Sequence, residues 1–392
     1  MQLRAASGLG AIEKAHFDRC RTGRLAGDRS PRRTGGQKGH AGEERADPQQ
    51  RAPPGTGRRV RCDSFRLLAN CIPSHVGLEH GAVEEFVQPG TSGLPPMSPL
   101  RARLELLAVD AILGGLGALP LRSASALASA LTRSTGGLVR GAARTAAGNL
   151  ARAFPELPPV RRAAILRGAF ANLGRLAAEV AHFDELDAGN LRQRVHFASA
   201  EVERRFEAAV RGGPAIVATG HLGNWELLVQ IPALMGRPVR LVHRAMKNPL
   251  VDERLAVIRS RGGTQTSLRH SAARDLLRTL HDGGLIGIPI DQHQPGGTGV
   301  PIPFFGRPAS TTLGPARLAQ LAQVPIYVVG LLRRGDTLEH EIHAGEVIPP
   351  PPRGKDPGRL IATMTRVNQQ FEALVRIAPE QWLWMHRRWR LD

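Results

Sequence analysis

Two residues in this 392-residue chain, His221 and Glu226, have the types and spacing for proton transfer. They fall in A-I-V-A-T-G-H-L-G-N-W-E-L-L, residues 215–228. An imidazole can take a proton near neutral pH. A carboxylate that accepts a hydrogen bond from one ring nitrogen fixes the tautomer and leaves the other nitrogen as the base. Residues five apart on one helix point in different directions, because the helix repeats about every 3.6 residues. The pair can therefore meet only if His221 lies in a loop and Glu226 in the first turn of the helix that follows.

The flanking sequence supplies that arrangement. Residues 215–219 are apolar and partly β-branched, as in a buried strand, and Gly220 ends the run. Gly223 and Asn224 suit a loop or helix cap ahead of the helical W-E-L-L-V. His221 then sits where a strand gives way to a helix, the place where open α/β sheets put ligands. A histidine near a glutamate is more often inert, but the strand, the two glycines and the helix favour a site here.

Two more polar residues follow strand-like runs. Arg244 comes after residues 239–242, and Asp291 after residues 285–290. Each has an ordinary alternative: Arg244 could pair with a carboxylate, and Asp291 could cap a turn. Three such residues at the ends of strands imply one crevice. Beyond Asp291 come a polar loop over residues 292–299, a short apolar piece, and Gly306-Arg307-Pro308. Ser310, Thr311 and Thr312 can each cap a helix over residues 313–323.

Apolar runs of strand length alternate with helical patterns through residues 196–377, and Q-W-L-W-M-H-R-R-W-R follows at 381–390. The expected fold is α/β, with a mixed, mainly parallel sheet flanked by helices on both faces. Residues 136–392 form this domain. Residues 97–135 are a helical segment, open to two readings: an interfacial helix on a membrane or a core helix with a charged face. The apolar stretch 100–121 carries Arg101, Arg103, Glu105 and Asp110, so a spanning helix is not expected. Residues 1–96 are rich in Arg, Gly and Pro and are expected to be a disordered or non-native extension.

The formal charge is +19, and the excess survives when residues 1–96 are set aside. An anionic partner follows. Aromatic residues are only 4% and show no alternation with basic ones, so a membrane surface or a phosphorylated substrate ranks above nucleic acid. Arg140, Arg144, Arg161, Arg162, Arg167 and Arg175 recur along helical stretches, as a solvated face or as a basic collar. The only cysteines, Cys20, Cys62 and Cys71, have no zinc-site spacing, and no metal site is expected. No G-x-S-x-G elbow is present, which disfavours a serine hydrolase.

The blocks G-H-L-G-N-W-E, N-L-A-R-A-F-P-E-L, H-R-A-M-K-N-P-L-V-D-E-R with R-S-R-G-G, D-Q-H-Q-P-G-G-T-G-V-P-I-P-F-F-G-R-P-A-S-T-T and P-E-Q-W-L-W-M-H-R-R-W-R stand in this chain. Together they resemble, in order, the bacterial lipid A biosynthesis lauroyl and myristoyl acyltransferases of the lysophospholipid acyltransferase superfamily. The resemblance implies a glycerolipid acyltransferase-like fold. It also implies transfer of a fatty acyl chain from acyl carrier protein or coenzyme A to a hydroxyl of a membrane glycolipid, with no cofactor beyond that co-substrate. His221 would be the general base and Glu226 its orienting partner. Arg244 would neutralise a phosphate. Asn224, Asp291, Gly306, Arg307, Thr311 and Thr312 would complete the substrate site. The setting implied is the cytoplasmic face of the bacterial inner membrane. Where that branch has a spanning helix, this chain has the interfacial helix, the arginine face and Trp382, Trp384 and Trp389 for attachment, or those tryptophans pack the core of the last helix. Other acceptors, such as a phosphatidylinositol mannoside or an aminolipid, fit the same residues. A non-catalytic membrane- or nucleic-acid-binding protein would explain the charge but leave the His221–Glu226 pair idle.

Overall fold

A computed structural model of the chain describes residues 97–268, 273–294 and 298–391. The expected extension and the three cysteines lie outside the described residues.

The chain opens with helices α1 (Pro99–Gly117), α2 (Leu121–Thr135), α3 (Arg140–Ala153), α4 (Pro159–Val180) and the short α5 (Ala188–Arg194). The alternating part follows: β1 (Val195–Phe197), α6 (Ala200–Arg211), β2 (Ala215–Thr219), α7 (Trp225–Leu234), β3 (Val239–His243), α8 (Pro249–Arg261), β4 (Thr264–Leu268), α9 (Ala273–His281) and β5 (Leu285–Pro289). A hairpin of β6 (Val300–Phe304) and β7 (Arg307–Thr311) interrupts it before α10 (Gly314–Ala322), β8 (Ile326–Arg333), β9 (His340–Ala344) and α11 (Pro357–Ile377).

Seven strands form the main sheet in the order β1-β9-β8-β2-β5-β3-β4. Neighbours run parallel except β8 and β9, which are antiparallel. Successive strand residues face opposite sides, and the core divides accordingly. Ile216, Ala218, Ile286, Ile288, Ile326 and Val328 pack on one face with Leu276, Leu318 and Phe371 from α9, α10 and α11. Ala215, Leu285, Tyr327, Val329 and Leu331 pack on the other with Leu176, Phe206, Leu227 and Ile258 from α4, α6, α7 and α8. This is the expected mainly parallel sheet between two helical layers.

The stretch expected to form one helix over residues 100–121 is broken into α1 and α2, since Pro120 starts the second helix. α1 leans on α8: the Asn248 side-chain amide donates to the Ala102 carbonyl at 2.9 Å, and Arg254 pairs with Asp110 at 2.7 Å. Its outer side leaves Leu100, Leu104, Leu107 and Ile112 exposed. No helix among the described residues is long and apolar enough to cross a membrane. Part of the arginine face is engaged within the protein. Arg175 pairs with Asp336, and Arg162 donates to the carbonyls of Phe154 and Leu157. The terminal tryptophans are not surface anchors as a group: Trp382 and Trp384 are fully buried, and Trp389 packs tilted against Phe304.

A buried ion pair ties the helical layer to the sheet. Glu179 on α4 accepts from Arg333 on β8 at 2.8 and 2.6 Å and from the Asn224 amide at 2.6 Å. Burial alone would raise the Glu179 pKa; the Arg333 hydrogen bonds, the nearby His340 and the Arg333 charge outweigh it and hold it at about 2. Arg333→Met would strand this carboxylate in the interior, at a cost of about 3–5 kcal/mol. Urea unfolding should show that loss as a lower midpoint.

Candidate active site

Sheet register places the reactive histidine. β2 and β5 are parallel neighbours with Thr219 opposite Pro289. His221 and Asp291 each lie two residues beyond that pair, so they emerge side by side at the carboxyl edge of the sheet. Gly220 permits the approach: a Cβ there would lie 2.2 Å from the Phe371 ring and 2.8 Å from the Asp291 carboxylate. Gly223, at φ +63°, turns the chain into α7 where a Cβ would meet the Leu331 carbonyl at 1.8 Å.

The histidine's partner is Asp291. His221 Nδ1 donates to Asp291 Oδ1 at 2.9 Å, and the His221 backbone N–H donates to Oδ2 at 2.7 Å. The Trp382 indole also donates to Oδ2, at 2.8 Å. The carboxylate is fully buried, while the histidine keeps 19% of its side-chain surface exposed. Nε2 has one long contact, with the Gln292 amide nitrogen at 3.4 Å.

Burial would lower the His221 pKa, but the Asp291 charge and hydrogen bond, with Glu226 adding at longer range, lift it above the usual imidazole value. Burial would raise the Asp291 pKa; the His221 charge and hydrogen bond overcome that and hold it far below the usual carboxylate range. His386 donates from Nε2 to the Asp291 carbonyl at 2.8 Å, and its ring lies 6.1 Å from that of His221. Burial pushes its pKa down to about 4, so it is neutral at physiological pH.

The expected hydrogen bond between His221 and Glu226 is not made. Glu226 does fall in the first turn of α7, but Arg259 at the end of α8 grips it at 2.8 and 2.7 Å, and the Trp225 indole donates to it at 3.2 Å. A guanidinium fork matches both carboxylate oxygens at once, which a single ring N–H cannot do. Glu226 acts on the histidine through its field alone. Glu226→Gln should therefore leave the Nδ1–Asp291 bond intact and reduce turnover less than a change at Asp291. Steady-state rates of the two variants side by side check this.

The other expected substrate contacts divide. Arg244 stands exposed just past β3, at the same carboxyl edge. Asn224 is fully buried; its Oδ1 caps α7 by accepting from the Leu227 N–H at 2.9 Å. Asp291, also buried, serves the histidine. Thr311 is buried too, its hydroxyl bonded to Arg388 at 2.9 Å and to the Ala309 carbonyl at 2.9 Å. The Thr312 hydroxyl accepts from the Gly314 N–H at 3.1 Å, at the start of α10. Gly306 and Arg307 are exposed in the turn of the β6–β7 hairpin.

Sequence reasoning gave no roles to Arg259, Gln292 and His386, and set Trp382 at a membrane or in the core instead of on Asp291, although all four lie within the quoted blocks. The one available signal was Arg259, a cation in the last turn of a helix that packs near Glu226.

Such a histidine, backed by a buried carboxylate at the carboxyl edge of a parallel sheet, has the geometry to activate a hydroxyl in an α/β enzyme. Residues 99–391 match the family model described as bacterial lipid A biosynthesis acyltransferase. That match spans well over half of the chain, which belongs to this family and is an acyltransferase. A lipid A biosynthesis acyltransferase of Haemophilus influenzae is 23% identical over 239 residues, covering 60% of this chain and 72% of the relative.

Proposed function

We propose that the protein transfers a fatty acyl chain from a thioester of acyl carrier protein or coenzyme A to a hydroxyl of a lipid A precursor, with His221 as general base. The observation that carries this reading is the His221 Nδ1–Asp291 bond at 2.9 Å, which leaves Nε2 unprotonated in the neutral ring. Nε2 takes the proton of the acceptor hydroxyl as its oxygen attacks the thioester carbonyl. The tetrahedral intermediate collapses, the C–S bond breaks, and the imidazolium returns the proton to the leaving thiolate. Asp291 balances the imidazolium charge while it exists. No covalent enzyme intermediate is required. Arg244, at the same sheet edge, is suited to neutralising a phosphate on donor or acceptor.

Membrane attachment is proposed to be peripheral, on the cytoplasmic face of the inner membrane. The exposed Leu100, Leu104 and Leu107 stripe of α1 supports it, since apolar side chains at that spacing suit the boundary between headgroups and acyl chains. Arg103, exposed on the same helix, is placed to meet anionic headgroups.

The test is an in vitro assay with a panel of acyl carrier protein and coenzyme A thioesters and a tetra-acylated lipid A precursor. The expected product is the precursor with one added acyl chain. Transfer to an aminolipid or a phosphatidylinositol mannoside, with none to the precursor, would overturn the acceptor assignment.

A further inference from the structure

A cleft of about 540 Å³ opens between α3 and the segment after α11. Arg144, Gly148 and Arg152 line one wall from successive turns of α3. Arg387, Trp389 and Arg390 line the other. Asn149, at the floor, clasps the walls together by donating to the carbonyls of Trp384 at 2.8 Å and His386 at 2.7 Å. The four guanidiniums belong to exposed residues, and no carboxylate among the described residues lines the cleft. Arg144, Arg152 and Arg387 make no ion pair among the described residues.

Convergence of like charges is unfavourable unless a counter-charge fills the space. Guanidinium forks match phosphate oxygens. One wall of the cleft continues in the chain from residues beside the active site. His386, whose ring faces His221, precedes Arg387 in the chain, and the His293 ring donates to the Arg390 carbonyl at 2.8 Å. A concave cleft of this volume suits a sugar phosphate; the broad surface of a carrier protein would need a flatter face.

We propose that this four-arginine cleft is a phosphate subsite that holds a phosphorylated headgroup of the lipid acceptor while its hydroxyl reaches His221. The proposal rests on the acceptor reading above.

The test is calorimetric titration of the full chain with a phosphorylated glucosamine disaccharide, the same disaccharide without phosphate, inorganic phosphate and apo acyl carrier protein. The phosphorylated disaccharide should bind best. Arg144→Gln and Arg387→Gln should each weaken it about tenfold, and the double variant about a hundredfold. Arg204→Gln, outside the cleft, should leave binding unchanged. Thermal melts of all variants should agree within a few degrees, since the arginines are exposed. Equal affinity for inorganic phosphate would overturn the headgroup assignment. So would loss of carrier protein binding in place of sugar binding, or no loss of either. Intact arginine-dependent binding without acyl transfer to any lipid A precursor would sink the acceptor reading and leave the subsite standing. Intact transfer without that binding would sink the subsite alone.

Discussion

His221→Ala is expected to lower kcat for acyl transfer by at least about 10²–10⁴-fold, the usual contribution of a positioned general base. Neither nearby titratable neighbour, His386 nor Glu226, can replace it. His386 is neutral, but its Nε2–H is committed to the Asp291 carbonyl. Glu226 is held by Arg259 on both oxygens. The fold should tolerate the change, because the histidine is partly exposed and Asp291 keeps its bond from the Trp382 indole. Turnover measured at saturating thioester and acceptor, with circular dichroism to confirm folding, reads the effect. Full activity in a folded His221→Ala protein would remove the base from the mechanism.

Asp291→Asn should give the second large effect, and its pH dependence carries the sign. The neutral imidazole is the active form, so kcat/KM rises with pH through the His221 pKa and then levels. In the wild-type protein Asp291 lifts that pKa, which places the acidic limb above the usual imidazole value of about 6.5. Asparagine removes the charge and leaves burial as the dominant influence, so the limb should move to lower pH. The plateau should also fall, on the order of 10²–10⁴-fold, because an amide neither stabilises the imidazolium nor fixes the tautomer as a carboxylate does. A full pH–rate profile of both proteins separates these effects. A limb that stays in place would mean that another group titrates. A lost plateau alone would point to a packing role for Asp291.

The alternation of apolar strands and helices was legible because a parallel sheet buried on both faces writes each strand as a short apolar run. Strands β2, β3, β5 and β8 announced themselves in this way. β4 did not: T-Q-T-S-L is an edge strand paired on one side only, and its polar residues show no apolar run. The β6–β7 hairpin was hidden by its prolines, which donate no backbone hydrogen bond.

At the site, chain order placed His221, Arg244 and Asp291 at strand ends correctly. It paired the wrong carboxylate with the histidine because nearness in sequence favoured Glu226, five residues on. The true partner is 70 residues away and arrives through strand pairing. Asn224 and Thr311 show the converse limit. A polar residue inside a motif reads as a ligand contact, whereas both are sealed within the protein, holding a helix start and a buried arginine.

The last strip of the chain is threaded into the reaction centre. Trp382 supports the aspartate, the Leu383 N–H donates to the His221 carbonyl at 2.9 Å, and Arg388 anchors the β7 end at 2.6 Å from the Ser310 carbonyl. A growing polypeptide thus holds its histidine without a completed frame until residues 382–388, some 160 positions further on, have also emerged.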